Sequence, residues 1–511
     1  MKMKNILKNI FLGGAIAVLF ASCDLNPLPT TDIVFDENTP ILQSVSDIQS
    51  FRNGVLASYR SVQYGAYTQS TEVMCDGFNA LTSFGNNYGS IHRTDGSFTT
   101  SDSYAETMWA GHYGVIKNYN VAIEQAEMIS DPKSEFYNEA LVPYAELLEG
   151  TALFCRASSY LMLARHFGPD YDEDTAMDDL CVPLVLKFDI DERPERATVQ
   201  EVYDQIEFDL DEAMDLLQGK VYEGMIRSID VTIDAIRALY ARYYLDTDAY
   251  EKAAKMADAV INSQAGYTLS SSVAEMTAEY TNDSGSEAIL QLYASRAEGL
   301  VANPIFTGVS QDRKGKYFQP YYIPSQKLID AYSSNDLRFR TWFSSNLYPI
   351  FANGARYKNI YTFIKYLGNP NYQSGPLETG ACSAKPLMIS EMYLIAAEAN
   401  AQAGKVLPAK TALNTLQAAR GAIQTAPTME NIKLEWFKET IGEGMRMTCL
   451  KRWGEGFEGR PYQKNAEDIV MKGEYYEKRA IDSDEYVLCW PIPSYDLKLN
   501  KNLVQNDGYE Q

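Results

Sequence analysis

The sequence predicts a mainly α protein in which tetratricopeptide-like helical hairpins form a scaffold, while long irregular loops with a few short strands build a separate face. Apolar residues recur at helical spacing through most of the chain, which favours amphipathic helices. Two alanine-rich segments, residues 230–263 and 389–420, each indicate a helix, a short turn and a second helix, as in helical repeats. Between them, residues 265–388 are irregular and rich in Tyr, Ser, Asn and Gly.

Local signals mark further helices before the first hairpin. Residues 104–129 and 135–167 carry continuous apolar stripes, and a Gly-Pro pair stops the second. Thr198 stands where a helix N-cap is expected, and Glu201 follows three residues later to complete a capping box. These signals predict three long helices ahead of the repeat hairpins.

We expect one folded domain over residues 41–511. It divides into an N-terminal helical part (41–264), a loop-rich insertion (265–388) and a C-terminal part with repeat helices and a closing segment (389–511). Disordered segments are poor in aromatic residues, so the tyrosines of the insertion argue that it is ordered.

The net charge and the aromatic content limit which kinds of ligand the protein is expected to bind. The 511 residues carry 45 basic and 68 acidic side chains, a net charge of −23. An acidic surface repels phosphate backbones, so nucleic-acid binding is not expected. The 36 tyrosines and 20 phenylalanines suit either a helical core or a surface on which ligands stack, and composition leaves both uses open.

Residues 1–22 have the features of a bacterial lipoprotein signal peptide. Three lysines precede an apolar run at residues 10–21 that is too short to span a bilayer. Small residues then lead directly to Cys23, which resembles the cysteine that receives lipid in a lipobox. We expect Cys23 to be lipidated and residues 23–40 to form a polar tether; an ordinary secretory peptide with an incidental cysteine is the alternative.

Six further cysteines follow the predicted anchor: Cys75, Cys155, Cys181, Cys382, Cys449 and Cys489. Their spacing matches no zinc framework. Disulfides are chemically possible outside the cytoplasm, and the sequence does not assign them.

Catalytic and metal-binding motifs are not apparent. His92, His112 and His166 are dispersed, and no metalloprotease, nucleophile-elbow or phosphate-loop spacing is present. Aspartates in residues 170–174 resemble the start of a calcium loop, but Thr175 occupies its sixth position, so a solvated acidic turn is expected. We therefore expect no catalytic residue, metal or cofactor, although many acidic residues leave a glycosidase carboxylate pair open.

Several motifs, taken in order, resemble those of the SusD/RagB family. The stretch RATVQEVY at residues 196–203 is similar to a family motif nearly residue for residue. EGMR at 443–446 and KRWG at 451–454 resemble a second conserved region, and PIP at 491–493 with NKNLVQNDGY at 500–509 resembles the closing segment. The resemblance covers nearly the whole mature chain.

The resemblance implies a non-enzymatic, lipid-anchored protein of the Bacteroidetes outer membrane that faces the cell exterior. Such a protein captures an oligo- or polysaccharide and delivers it to a SusC-like TonB-dependent barrel. A peptide-binding member of the same family, of the RagB type, is the alternative, and a secreted glycoside hydrolase is a further one.

Two loop-rich segments are suited to supply the aromatic rings and polar groups that hold a sugar. The candidates in the first segment are Asp76, Asn79, Phe84, Asn86, Asn87, Tyr88, His92 and Arg93. Those in the insertion are Tyr293, Arg313, Tyr317, Tyr321, Tyr322 and Trp342. For both segments the alternative is that the rings pack the loops onto the core.

Overall fold

The computed structural model describes residues 41–189, 191–220, 228–298 and 305–510. The predicted signal peptide, Cys23 and the tether lie outside these ranges. The described chain is mainly helical with short strands, which confirms the predicted fold class. Its helices include none that is long and apolar enough to cross a membrane.

The helices occupy both halves of the chain and flank the insertion. In chain order they are α1 (Val45–Ser61), α2 (Ala66–Met74), α3 (Gly89–Arg93), α4 (Ser103–Ser130), α5 (Val142–Phe167), α6 (Val199–Leu217), α7 (Ile233–Asp246), α8 (Tyr250–Ile261), α9 (Val273–Tyr280), α10 (Gln326–Asp330), α11 (Leu337–Trp342), α12 (Ile389–Gln402), α13 (Val406–Ala419), α14 (Met429–Glu439), α15 (Arg446–Arg452) and α16 (Ser494–Leu499).

The predicted N-terminal helices are confirmed, one of them with a shifted start. Residues 104–129 fall in α4, whereas the helix predicted for 135–167 begins only one residue before Pro143. Proline is tolerated in the first turn of a helix and not in its interior, which explains the later start. The capping box is present: Thr198 Oγ1 accepts from the Glu201 amide at 3.1 Å, and Glu201 Oε2 accepts from the Thr198 amide at 2.8 Å.

Helices α4, α5 and α6 pack side by side. Gly150 lets α5 and α6 approach closely, because a Cβ at this position would lie 2.7 Å from Leu217 Cγ. The Arg156 guanidinium on α5 donates to Asp209 on α6 at 2.7 and 2.8 Å and to Asn120 on α4 at 2.9 Å. A buried charge needs such partners, so this cluster fixes the register of the three helices.

Both predicted hairpins are present, as α7–α8 and α12–α13, and α12 also packs against α8. Small side chains allow the close approach: Ala238, Ala241, Ala253 and Ala257 are fully buried. The turn between α7 and α8 places Asp248 at φ 54°, a left-handed conformation that aspartate tolerates better than most residues.

The strands are short and lie mostly in the insertion. In chain order they are β1 (Phe78–Ala80), β2 (Ala288–Leu290), β3 (Val309–Asp312), β4 (Gly315–Phe318), β5 (Tyr322–Pro324), β6 (Phe343–Ser344), β7 (Ile350–Ala352), β8 (Ala355–Tyr357), β9 (Thr362–Phe363) and β10 (Leu387–Met388). Three antiparallel pairs form, β1–β5, β2–β10 and β6–β9, together with one four-stranded sheet in the order β3-β4-β7-β8.

The four-stranded sheet consists of two hairpins joined side by side. Strands β3–β4 and β7–β8 are antiparallel, and Phe318 of β4 pairs in parallel with Ile350 of β7. Each hairpin has a two-residue turn, at 313–314 and 353–354. The second is Asn-Gly with φ of 50° and 78°, as expected for the turn type that matches strand twist.

One face of this sheet, the inner face, is apolar. Side chains alternate along a strand, so Val309, Phe318 and Ile350 point to the same side. Phe318 and Ile350 belong to a second buried apolar cluster, apart from the main core, and Val309 packs against it; the other members are Leu81, Ile323, Ala352, Ile360, Ala466, Ile469 and Val470. Through this cluster the sheet packs against the rest of the molecule.

Buried ion pairs tie the insertion to the C-terminal helices. Arg420, just after α13, donates to both oxygens of Glu287 at 2.8 Å and to Glu439 at 2.6 and 3.1 Å. Arg338 donates to Asp336 at 2.7 Å and to Glu439 at 2.8 Å. The insertion, predicted to be irregular, is therefore an ordered part of the fold with its own helices and strands.

The six cysteines of the described chain are free thiols.

Candidate functional site

The face of the four-stranded sheet opposite its apolar side is the candidate functional site. We call it the outer face and define it by Ser310, Asp312, Tyr317, Phe351 and Arg356. The ring centroids of Tyr317 and Phe351 lie 5.2 Å apart at 47°, and the Arg356 guanidinium carbon lies 4.7 Å from the Tyr317 centroid. Both rings are half-buried, so they offer a supported aromatic surface to solvent.

Ion pairs hold the charged groups of the β3–β4 hairpin, with Asp312 on the outer face and Lys316 on the inner face, the side of Phe318. A hydrogen bond from Arg356 lowers the pKa of Asp312, and its guanidinium stays over the neighbouring ring. Lys316 Nζ lies 3.0 Å from both carboxylate oxygens of Glu378 and 5.5 Å from the Tyr348 centroid. The bond to Glu378 raises the pKa of Lys316, and the same contact lowers the pKa of Glu378 although partial burial of that carboxylate opposes the change.

A cleft of about 390 Å³ adjoins one end of the outer face. It is lined by Ser83, Gly308, Val309, Ser310, Gln319, Tyr321, Phe351, Ala352 and Asn353. Two aromatic rings, two side-chain amides and two serine hydroxyls therefore meet at one opening. Ligand sites commonly have volumes of roughly 300–1,000 Å³ and this mixture of apolar walls with a few polar groups.

The loop that follows β1 closes the other side of the cleft. The Leu81 amide donates to the Tyr321 carbonyl at 2.9 Å, and the Thr82 amide donates to the Ile469 carbonyl at 2.7 Å. Thr82 Oγ1 also donates to Asn353 Oδ1 at 3.0 Å. The two sequence segments predicted to supply ligand contacts thus meet at this cleft.

Two family models match the chain. The model described as "Starch-binding associating with outer membrane" matches residues 34–245, and the model described as "SusD family" matches residues 309–509. The chain belongs to the SusD/RagB family. The resemblance drawn from the sequence motifs is thereby confirmed.

Solved structures of SusD-like proteins share the fold. A SusD superfamily protein from Bacteroides thetaiotaomicron is 21% identical, with a TM-score of 0.72 over 91% of this chain and 100% of its own. The surface glycan-binding protein A from Bacteroides fluxus is 18% identical, with a TM-score of 0.67 over 92% and 100%. A laminarin binding SusD-like protein is 19% identical, with a TM-score of 0.66 over 91% and 99%. A search of curated proteins found no match.

Within the first predicted segment of this SusD-like chain, Asp76 is a structural residue. It is fully buried, and its carboxylate accepts two hydrogen bonds of 2.9 Å from Arg446 and one of 2.6 Å from Lys327. Burial opposes ionisation, but the two cations outweigh it and hold the pKa of Asp76 well below its usual range. The prediction that Asp76 contacts ligand was wrong.

Three more residues of that segment also face the interior. Asn79 Nδ2 donates to the Arg460 carbonyl at 2.6 Å, and Phe84 is buried. His92 is buried with Nδ1 2.6 Å from the Val73 carbonyl, and burial holds its pKa well below the usual range. These residues shape the loop from beneath, which corrects the expectation that they touch ligand.

The remaining residues of the segment stay partly accessible. Arg93 Nη1 donates to Asn86 Oδ1 at 2.8 Å, and Asn87 is half-buried. The Tyr88 ring stacks on Tyr104 with centroids 4.2 Å apart. Their involvement in binding stays a prediction.

In the insertion, the predicted residues separate into two groups. Tyr317 lies on the outer face and Tyr321 lines the cleft. Tyr322 and Trp342, in contrast, are buried, and the Trp342 ring lies under the Lys365 ammonium at 3.9 Å. Trp342 was expected to be free for stacking, and this expectation was wrong because the ring fills the core beneath α9.

Tyr293 and Arg313 are exposed. Tyr293 has 60% of its surface accessible, and it is not part of the cleft lining. Arg313 lies in the turn between β3 and β4, at the end of the outer face. Both remain candidates for ligand contact.

Phe351, Asn353 and Arg356 belong to the site but were not predicted from the sequence. A signal for them was present, since Asn353-Gly354 between two short runs is a strong hairpin pattern. Recognising that hairpin would have placed alternate residues on one face and brought Phe351 and Arg356 together.

A second groove, of about 1,100 Å³, lies on the helical side of the molecule. It is lined by Asp170, Tyr171, Asp172, Glu173, Asp174, Thr175, Gln200, Asp204, Glu207, Tyr243, Tyr244, Thr247, Asp248, Ala249, Lys252, Lys451, Arg452, Trp453 and Gly454. The hydroxyls of Tyr243 and Tyr244 both donate to Glu207, at 3.2 and 3.1 Å, so they are engaged within the protein. In the described ranges no group of three or more acidic, histidine or cysteine side chains is placed to hold a metal ion.

Proposed function

We propose that this chain is a cell-surface protein that captures an oligo- or polysaccharide at the outer face and its adjoining cleft. The observation that carries the proposal is the half-exposed pair of Tyr317 and Phe351 beside an opening with amide and hydroxyl groups. Sugars present flat C–H faces that pack on aromatic rings, and hydroxyls that pair with amides. Both kinds of contact are available within one site.

The family supports this proposal independently of the geometry. One matching family model is described as starch-binding, and two solved proteins of the same fold are described as glycan-binding and laminarin binding. Those descriptions concern the other proteins. They make laminarin, a neutral glucan, the first glycan to test here.

The captured glycan would then pass to a SusC-like TonB-dependent barrel in the outer membrane. Lipidation of Cys23 would hold the protein at the membrane, since each buried methylene of an acyl chain contributes about 0.8 kcal/mol. A Cys23→Ala variant expressed in its native host tests the anchor. We expect loss of acyl labelling and release of the protein from membranes; an unlabelled wild-type protein would contradict the anchor.

Binding without hydrolysis is the proposed activity. A glycosidase needs one carboxylic acid whose pKa is raised so that it can donate a proton. On the outer face Asp312 is paired with Arg356, and on the other side of β4 Glu378 is paired with Lys316; the pKa of each carboxylate is lowered. Incubation with laminarin should therefore release no new reducing ends, and sustained release would support the hydrolase alternative.

Isothermal titration calorimetry with laminarin and a panel of other soluble glycans tests the binding site. The informative variants are Tyr317→Ala and Phe351→Ala, alone and together. Removing one stacked ring should weaken binding by up to about tenfold, because an aromatic contact contributes roughly 0.5–1.5 kcal/mol. The control is Tyr495→Ala, which removes a ring that is 61% exposed on helix α16, outside the sheet.

The outcomes separate the candidate functions. The proposal is supported if the wild type binds at least one glycan, the double variant does not bind it, and the Tyr495→Ala variant still does. Unfolding temperatures equal to that of the wild type exclude a folding defect as the cause. Heat release with a mixed peptide pool and with none of the glycans would favour the peptide-binding alternative.

A further inference from the structure

The two hairpins of the four-stranded sheet have a charge opposite to that of the whole protein. The chain has a net charge of −23. Residues 309–318 and 350–358 nevertheless contain five cationic side chains and a single acidic one, Asp312. The cationic residues are Arg313, Lys314, Lys316, Arg356 and Lys358. The two hairpins that carry the candidate binding surface are therefore a cationic area on an acidic molecule.

Two of these cations are neutralised locally. Arg356 pairs with Asp312, and Lys316 pairs with Glu378. The other three are exposed and have no ion-pair partner among the residues that the structure describes: Arg313, Lys314 and Lys358. Their charges are consequently available to a ligand.

The strand topology places these three cations at one end of the sheet. Arg313 and Lys314 form the turn between β3 and β4, where β4 begins. Strand β7 runs parallel to β4 and β8 returns antiparallel, with Tyr357 level with Phe318, so Lys358, which follows Tyr357, lies on the side of the sheet toward the β3–β4 turn. Contacts from Arg356 Nη2 to Asp312 and to the Gly315 carbonyl show that the Arg356 side chain extends from β8 toward this end.

The opposite end of the sheet carries acidic groups instead. Asn353, in the turn between β7 and β8, donates from Nδ2 to the Asp468 carbonyl at 3.4 Å. The side chains of Glu467 and Asp468 are exposed beside this turn. A ligand on the outer face therefore meets a gradient from acidic to basic, with Tyr317 and Phe351 between the two ends.

We propose that the outer face selects an acidic glycan, one that carries carboxylate or sulfate groups. Its sugar rings stack on Tyr317 and Phe351, and its anionic groups lie over Arg313, Lys314 and Lys358. An acidic polymer is repelled by the rest of this surface, so local cations are needed to bring it in and to orient it. This inference rests on the proposed function, because it assumes that a glycan occupies this face.

Charge-matched glycan pairs test the inference by calorimetry. Laminarin and laminarin sulfate share one backbone and differ in sulfate, while methyl-esterified pectin and polygalacturonate differ in free carboxylate. The charged member of at least one pair should bind about tenfold more tightly at 50 mM NaCl, as expected for a few exposed ionic contacts. That preference should fall when the salt is raised to 300 mM.

The variant that tests the mechanism is Arg313→Gln/Lys314→Gln/Lys358→Gln. It should lose the preference for the charged glycan and retain its affinity for the neutral partner. The control is Lys255→Gln/Lys410→Gln/Lys498→Gln, which removes the same charge from exposed helical positions and should keep the preference. Restoration by the conservative Arg313→Lys variant excludes a distorted turn.

The possible results separate this inference from the proposed function. Equal binding within both pairs, or a preference that survives in the sheet variant, overturns the acidic-glycan inference and leaves glycan binding intact. If the Tyr317→Ala/Phe351→Ala variant binds either glycan pair as tightly as the wild type does, the proposed function is overturned as well. Separate preferences for sulfate or for carboxylate identify which acidic group the face accepts.

Discussion

The repeat hairpins and the insertion are packed by different kinds of contact. In α7 and α8, fully buried alanines such as Ala241 and Ala257 bring helices together through apolar surface. The insertion meets the C-terminal helices through Arg338 and Arg420 and their buried carboxylates. Apolar contacts are non-directional, whereas an ion pair requires defined geometry. The helices therefore form a large packed surface, and the buried ion pairs of Arg338 and Arg420 fix the orientation of the loops that form the site.

Removal of the Arg420 guanidinium should have the largest effect on the free energy of unfolding. Arg420→Met leaves Glu287 and Glu439 buried without their shared partner, and breaking a buried pair in this way costs about 3–5 kcal/mol. Urea unfolding should show that loss in the free energy of unfolding. Lys410→Met, on the exposed side of α13, is the control and should change stability by less than about 0.5 kcal/mol. A loss of under about 1 kcal/mol in Arg420→Met would mean that apolar contacts hold the insertion.

A buried histidine in the helical part should make stability depend on pH. Both ring nitrogens of His112 have no hydrogen-bond partner within the described residues, and burial, with a smaller effect of His166, lowers the pKa of His112 to about 3. In the unfolded chain its pKa is about 6.5, so the stabilisation is present above pH 6.5 and is lost as the pH falls toward 3.

His112→Phe removes this proton linkage. Between pH 7.5 and pH 4.5 the wild type should lose about 2–3 kcal/mol more of its unfolding free energy than the variant does. Urea unfolding at the two pH values measures the difference directly, and other titrating groups cancel between the two proteins. Identical pH dependence of the two proteins would show that His112 accepts a proton without unfolding.

Placing a larger side chain between the packed repeat helices should have an intermediate effect on the free energy of unfolding. Ala257 is fully buried in α8, and Ala257→Leu should destabilise the protein by about 1–3 kcal/mol because the close approach of the helices leaves no room for a larger side chain. Lys255→Leu, on the exposed side of the same helix, is the matched control. Equal unfolding temperatures for the two variants would show that the hairpins have spare volume.

Loss of the capping box should have the smallest effect. Thr198→Ala removes the side-chain oxygen that accepts from the Glu201 amide at the start of α6, and such changes cost about 1 kcal/mol. Thr198→Ser retains an oxygen and should recover most of the loss. Differential scanning calorimetry resolves the two variants, and equal destabilisation by both would assign the effect to packing of the threonine methyl group.

The helical part was largely predictable because its determinants are local. The alanine-rich helices, the short turn between them within residues 230–263 and the Thr198–Glu201 box each depend on a few neighbouring residues, and each is present in the structure. The error at the start of α5 arose because an apolar pattern continued across Pro143, whose ring sets a boundary that periodicity alone does not show.

The site was only partly predictable because its determinants are far apart in the chain. Tyr317 and Tyr321 were identified as loop aromatics, but so was Trp342, which is buried. Composition does not distinguish a ring on a supported surface from one beneath it. Asp76 was misjudged for a related reason, since its partner Arg446 is 370 residues away.

A crystal structure with a bound oligosaccharide tests the central claim most directly. The sugar should come from whichever glycan gives the strongest calorimetric signal. The account predicts a sugar ring within about 4 Å of Tyr317 or Phe351, with hydroxyls directed into the adjoining cleft. A sugar bound instead in the helical groove beside Tyr243 and Tyr244, with the outer face empty, would contradict it.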